Sequence, residues 1–263
     1  QSPSPDACLN NLERAANTVS GGPIIESLKN PATLPYLARL FGSSNYLTNI
    51  LCQNPSLYGY LFNEGGLAVS KNEPMFRDEL KRLCDGITDI NDAAKALRVY
   101  RHSAYLRIGA RDLLEISDVE STTAELSNLA SASLDAAVEF SSRHLKNTYG
   151  EPLYTNDSGG VSEAVFTVIG LGKLGGGELN FSSDIDIIYV YSSDKGETAG
   201  IAGRPGTQIS LHAFFIKLAA MVNKLIGAVT EDGFVFRVDL DLRPEGRSGD
   251  LCGPLQSLEI YYE

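Results

Sequence analysis

The sequence predicts an α+β protein, with a helical N-terminal part followed by a small mixed sheet and flanking helices. Three observations carry this. Residues 1 to about 148 repeat apolar side chains at three and four, the period of a helix. After a Gly-rich stretch the period shortens to that of a strand. One long amphipathic run, Thr207–Ile226, then separates two of the strand-like segments.

Taken in order, Leu28 to Leu40, Tyr46–Leu61, Met75–Leu83 and Ala93–Leu114 read as helices. Pro31, Pro35, Pro55 and Pro74 punctuate them. Thr122-Thr-Ala-Glu125 sets Glu three residues after Thr, a capping-box signal, so a helix is expected to start there and run to about Lys146. Gly150-Glu-Pro to Asp157-Ser-Gly-Gly160 reads as a loop and an internal joint. Ala164–Ile169, Ile185–Tyr191 and Phe234–Leu240 read as strands, with a Gly- and Ser-rich loop over Ser192–Gly206. A helical subdomain over residues 1–120 and a catalytic domain over 121–263 are expected.

Bulk properties narrow the function. Net charge is −11, which disfavours a nucleic-acid partner. Cys8, Cys52, Cys84 and Cys252 are scattered without a CxxC pair, so free thiols in a reducing cytoplasm are expected. No apolar run reaches the ~18 residues of a membrane span, and Gln1-Ser-Pro-Ser-Pro5 lacks the apolar core of a signal peptide. The first residue is not Met and the last few read as an opening helix, so a piece of a longer protein is expected.

Gly172-Lys-Leu-Gly-Gly-Gly-Glu-Leu-Asn-Phe-Ser-Ser-Asp-Ile-Asp-Ile-Ile-Tyr-Val-Tyr191 carries the chemistry. Residues two apart on a strand point the same way, which puts Asp184 and Asp186 on one face ~6.6 Å apart. Such a pair suits two hard cations, Mg²⁺ or Mn²⁺, that also hold substrate phosphates. Asp239, within Gly233-Phe-Val-Phe-Arg-Val-Asp-Leu240, adds a third acid on a later strand. Gly175 and Gly176 suit a turn that brings backbone N–H groups to phosphate, with a helix N-terminus expected after them. Lys173, Ser182 and Ser183 read equally as phosphate contacts or as surface pairing and capping groups. Arg237 and Arg243 alternate around Asp239 and could share its face. Arg98, Arg101, Arg107 and Arg111 fall at helical spacing and read as a solvated face rather than a basic ridge. His102, His144 and His212 are too dispersed for a metal site.

A paired acid, a lone acid on a later strand and Leu174-Gly175-Gly176 ahead of them resemble the DNA-polymerase-β-like nucleotidyltransferases. The Gly172–Asp186 block, with Asp232-Gly-Phe-Val-Phe-Arg-Val-Asp-Leu240 and Leu242-Arg-Pro244, more closely resembles the bifunctional glutamine synthetase adenylyltransferase/adenylyl-removing enzymes. Phe41-Gly-Ser-Ser-Asn-Tyr-Leu47, Asn54-Pro-Ser-Leu57 and Leu97-Arg-Val-Tyr-Arg101 extend the resemblance upstream. The loop form, after a helical stretch, looks more like the N-terminal, adenylyl-removing half. The resemblance implies metal-dependent phosphorolysis of adenylyl-tyrosine on glutamine synthetase, phosphate in and ADP out. It implies control by a P-II type nitrogen regulatory protein, and phosphate or nucleotide contact by Arg243. Adenylylation from ATP and a catalytically silent nucleotide- or regulator-binding scaffold are the alternatives. Two departures stand out. Asp241 occupies a position where the family leads one to expect a basic residue. Ser248-Gly-Asp-Leu-Cys-Gly-Pro-Leu255 spaces its last Gly-Pro differently.

Overall fold

The computed structural model describes residues 2–18, 22–27, 29–30, 33–156 and 158–263. The expected helix start at Leu28, the break at Pro31 and the loop residue Asp157 lie outside them. The chain divides into two compact units, Gln1–Asn72 with Val99–Leu129, and Glu73–Arg98 with Ala130–Glu263.

The first unit holds α1 (Pro5–Ala16), α2 (Gly22–Ser27), α3 (Leu34–Ser43), α4 (Asn45–Gln53) and α5 (Leu57–Phe62). The single helix expected over Tyr46–Leu61 is therefore two. Pro55 disfavours helical backbone at the residue before it, and Asn54 takes φ −132°, ψ 72°. Leu37, Leu40 and Phe41 of α3 pack with Leu47, Ile50 and Leu51 of α4 in one buried cluster. Ser44 caps α4, its hydroxyl accepting from Leu47 N–H at 3.2 Å.

Helix α6 (Glu73–Cys84) belongs to the second unit, and α7 (Ile90–Leu113) and α8 (Val119–Tyr149) each contribute residues to both. Helix α8 starts before the capping box. Asp118 Oδ1 accepts from Ser121 N–H at 2.8 Å in its first turn, and hydrogen bonds from the Ser121 side chain first and this backbone N–H second hold the Asp118 carboxyl below its usual range. Glu125, free of capping duty, is buried instead. The four α7 arginines correct the expectation of a solvated face, because all are buried, Arg107 to 1% exposure. Arg107 pairs with Glu125 at 2.5 Å and donates to the Val69 carbonyl at 2.8 Å. Arg111 donates to the Leu67 carbonyl, and Arg101 lies 3.7 Å over the Tyr105 ring. Arg98, in the second unit, donates to the Ala228 carbonyl at 2.8 Å.

The second unit carries two small sheets. Strands β1 (Pro152–Thr155), β2 (Val161–Glu163), β3 (Phe166–Gly170), β4 (Ile185–Tyr191), β5 (Gly196–Thr198), β6 (Val238–Asp239) and β7 (Cys252–Pro254) form them, with α9 (Gly172–Gly175), α10 (Leu211–Gly227) and α11 (Leu255–Tyr262). One sheet runs β2-β1-β5, antiparallel. In the other, β3 pairs antiparallel with β4, while β6 and β7 pair in parallel with successive parts of β4. Helix α10 starts at Leu211, after its Ser210 cap and four residues later than Thr207. Phe215 of α10 stacks on Tyr191 at 4.7 Å and on Phe166 at 6.0 Å between ring centres. Burying such a ring contributes roughly 1.5–3 kcal/mol. By alternation Ile185, Ile187 and Tyr189 share the Tyr191 side, so Asp184 and Asp186 are left on the side that α10 does not cover. No helix among the described residues is long and apolar enough to cross a membrane.

Candidate active site

The site is built where β3 ends and α9 turns the chain. Leu171 N–H donates to the Asp186 carbonyl at 2.8 Å, tying this turn to the first residues of β4. Gly172 follows at φ +51°, and a Cβ there would stand 2.6 Å from Asp186 Oδ2. A side chain would therefore displace the carboxylate. Gly175 is required for a different reason, since its Cβ would stand 2.6 Å from the Gly170 carbonyl oxygen. Its smallness seats α9 on the end of β3. At Gly176 a Cβ would meet nothing closer than 3.5 Å.

The helix expected after Gly176 does not form; the helical turn precedes it. The amides of Gly175, Gly176, Gly177 and Glu178 donate to carbonyls of Leu171, Gly172, Leu174 and Lys173 within this turn. Lys173 is exposed and pairs with no acid among the described residues. Asn180 then shapes the approach to β4. Its Oδ1 accepts from Ser182 N–H at 3.2 Å and from the Ser183 hydroxyl at 2.8 Å, an Asx-type turn.

The three acids are placed unequally. Asp186 and Asp239 are register partners on the parallel strands β4 and β6, about 4.8 Å apart in the pairing direction. Both are partly exposed, and no cation pairs with either among the described residues. One Asp239 oxygen accepts from Asp241 N–H at 2.7 Å. Asp184 lies just before β4 and is engaged: Arg237 Nε stands 2.5 Å from its Oδ1, while Arg237 Nη2 donates to the Ser182 carbonyl at 2.6 Å. As they stand, no three carboxylate, thiol or imidazole groups among the described residues surround a single ion position. The donors are nonetheless those a hard cation takes. Two are fixed side by side by strand pairing, and the third is held by a neighbouring guanidinium.

Strand β6 is two residues long, not the seven expected over Phe234–Leu240. The amides of Val235 and Phe236 both donate to the Ile226 carbonyl, at 3.0 and 3.1 Å, which ties this segment to the end of α10 instead of to β4. Asp241 consequently lies beyond the strand in a turn, and alternation does not apply to it. It is exposed and faces Arg247, whose Nη2 is 2.8 Å and whose Nε is 3.0 Å from its carboxylate. That guanidinium holds the Asp241 carboxyl below its usual range. Arg243 closes the same loop. Its Nη1 donates to the Leu240 carbonyl at 2.8 Å and its Nη2 to the Gly249 carbonyl at 3.4 Å. It also lines a cavity of about 210 Å³ with Tyr189, His212 and Cys252.

His212 Nδ1 and the Tyr191 hydroxyl share a hydrogen bond at 2.9 Å while His212 Nε2 stands 3.4 Å from Asp250 Oδ2, and His144 stacks on Phe140; both imidazoles are exposed. Gly172 and Asn180 shape the site without having been singled out for it, and Arg237 does so through Asp184. The signal for Gly172 was its place at a strand-to-turn junction, and that for Asn180 was its spacing ahead of two serines. For Arg237 the alternation around Asp239 pointed to the wrong acid.

With this geometry in place, the chain matches the glutamate-ammonia ligase adenylyltransferase family over residues 34–263. It is 36% identical over 241 residues to the bifunctional glutamine synthetase adenylyltransferase/adenylyl-removing enzyme of Shewanella loihica, covering 92% of this chain and 24% of that protein. The same-named enzyme of Shewanella frigidimarina is 38% identical over 227 residues, 86% of this chain and 23% of its own. That of Burkholderia mallei is 44% identical over 168 residues, 64% of this chain and 17% of its own. The chain thus spans about a quarter of the length of the two Shewanella relatives. It belongs to the glutamate-ammonia ligase adenylyltransferase family.

Proposed function

We propose that this chain carries the nucleotidyltransferase centre of an adenylyl-removing enzyme, acting on adenylyl-tyrosine of glutamine synthetase in the cytoplasm. The pairing of Asp186 with Asp239 across β4 and β6, beside the Gly172 turn, is the observation that carries it. Asp184, Asp186 and Asp239 would hold two Mg²⁺ or Mn²⁺ ions, which when bound neutralise charge on the attacking and leaving oxygens. A phosphate oxygen attacks the AMP phosphorus, the bond from phosphorus to the tyrosine oxygen breaks, ADP leaves and the tyrosine oxygen takes a proton. Asp239 orients the attacking phosphate and assists its deprotonation. Lys173 and the exposed hydroxyl of Ser182 offer charge and hydrogen bonds to phosphate oxygens, and Ser183 holds the turn through Asn180. The Gly175–Gly176 turn gives a narrow approach. Arg243 braces the loop after β6 and contacts nucleotide from there.

The direction rests on the Gly-Gly-Gly-Glu-Leu-Asn-Phe181 form of the loop. By family membership we extend the proposal to a P-II type nitrogen regulatory protein as the controlling partner. The test is ADP release on adding phosphate to the chain with adenylylated glutamine synthetase and Mg²⁺. ADP formed in proportion to tyrosine unmasked supports removal. Transfer of label from ATP to unmodified glutamine synthetase, with no response to phosphate, would assign the adenylylating direction instead. Binding without either turnover would make this a scaffold.

A further inference from the structure

We infer that Arg237 is a resident counter-ion of the acidic site, a guanidinium that the metal must displace from Asp184. The inference rests on the assignment of Asp184, Asp186 and Asp239 as metal ligands and goes beyond it. Of the three carboxylates only Asp184 is paired, and its partner bonds twice at this spot. Nε meets Asp184 Oδ1 at 2.5 Å and Nη2 meets the Ser182 carbonyl at 2.6 Å. The other two acids are held side by side by strand pairing and form no close ion pair among the described residues, Arg247 acting on Asp239 only at longer range. The trio fails to surround one ion position where the single guanidinium has claimed a member.

Two properties make the contact exchangeable. The Arg237 side chain is 58% exposed and that of Asp184 47%, so water can take over both groups as they part. An exposed ion pair is weak, and a divalent ion shared with Asp186 and Asp239 outcompetes it. The pair also has a use while the site is empty. It offsets one of three clustered negative charges and, through Ser182, holds the segment that leads into β4. Arg237 sits one residue before β6, and its own carbonyl accepts from Ile185 N–H at 2.9 Å. Its backbone is thus fixed to β4 whichever partner its side chain has.

Mn²⁺ binding to the chain, followed by electron paramagnetic resonance of the free ion at low ionic strength, reads this directly. Replacing Arg237 by Gln removes the competitor, and Mn²⁺ should bind about two- to five-fold tighter, the range an exposed ion pair supports. In the parent chain Mn²⁺ should also raise the rate at which phenylglyoxal modifies Arg237, located by mass spectrometry of the peptides. Asp186→Asn serves as the control for the site itself. If it abolishes Mn²⁺ binding while Arg237→Gln leaves affinity equal or weaker, the site stands and the counter-ion role is overturned. If Asp186→Asn binds Mn²⁺ like the parent, the site assignment fails and takes this inference with it. An unchanged or slowed modification of Arg237 on adding Mn²⁺ likewise overturns displacement.

Discussion

Asp186 and Asp239 owe their proximity to backbone pairing, so it survives changes in their side chains. Asp184→Asn with Asp186→Asn should abolish phosphate-dependent turnover while moving the thermal midpoint by no more than about 2 °C, as for surface changes free of packing. Only the exposed contact of Asp184 with Arg237 is lost. Turnover retained by the double variant would remove the two acids from the mechanism. Asp241 is the contrasting residue. It stands two positions after Asp239, but it faces Arg247 from a turn. Asp241→Arg should therefore leave Mn²⁺ affinity unaltered, and a fall in that affinity would add Asp241 to the ligand set.

At the scale of elements, legibility followed length. Strand β4 was read to the residue, because seven consecutive residues, six of them hydrophobic, have no other home. Strands β1, β2, β5 and β7, each of three or four residues, were missed, as so few side chains cannot display a period. The strand over Phe234–Leu240 was overextended for a converse reason. Val235 and Phe236 are buried, but their amides bond to the end of α10, and hydrophobicity does not say which carbonyl an amide will find. The Gly loop was recognised, but the division of labour among its glycines was not. Gly175→Ala should cost about 1–3 kcal/mol, since its Cβ would press 2.6 Å from a backbone oxygen that cannot rotate away. Gly176→Ala, with φ −82° and ordinary contacts, should stay within about 0.5 kcal/mol. Urea denaturation of the two variants measures both values, and equal losses would refute the packing role of Gly175.

Across the whole molecule the largest departure from the sequence reading is where charge is buried. A chain of net charge −11 sinks Arg107 and Arg111 of α7 into its first unit and sets Glu125 against them, at 2.5 and 3.8 Å. Arginines at three- and four-residue spacing ordinarily mark a wet helix face. Here the carbonyls of Val69 and Leu67 accept from the guanidinium groups, and the Lys71 amide donates to Glu125. Those acceptors lie some forty residues away in sequence, so no local pattern could have announced them. Desolvating such a pair offsets much of its attraction, and the greater penalty comes from leaving one partner alone. Glu125→Gln should thus destabilise the chain by about 3–5 kcal/mol, with a buried arginine left uncompensated. The paired replacement Arg107→Met with Glu125→Leu removes that ion pair at similar volume but leaves Arg111 without its carboxylate, so it should recover only part of that loss. Chemical denaturation followed by circular dichroism compares the three chains. If the paired variant is no more stable than Glu125→Gln, the charges contribute more than their mutual compensation, and the remaining bonds of Arg111 and Lys71 to Glu125 are where that contribution lies.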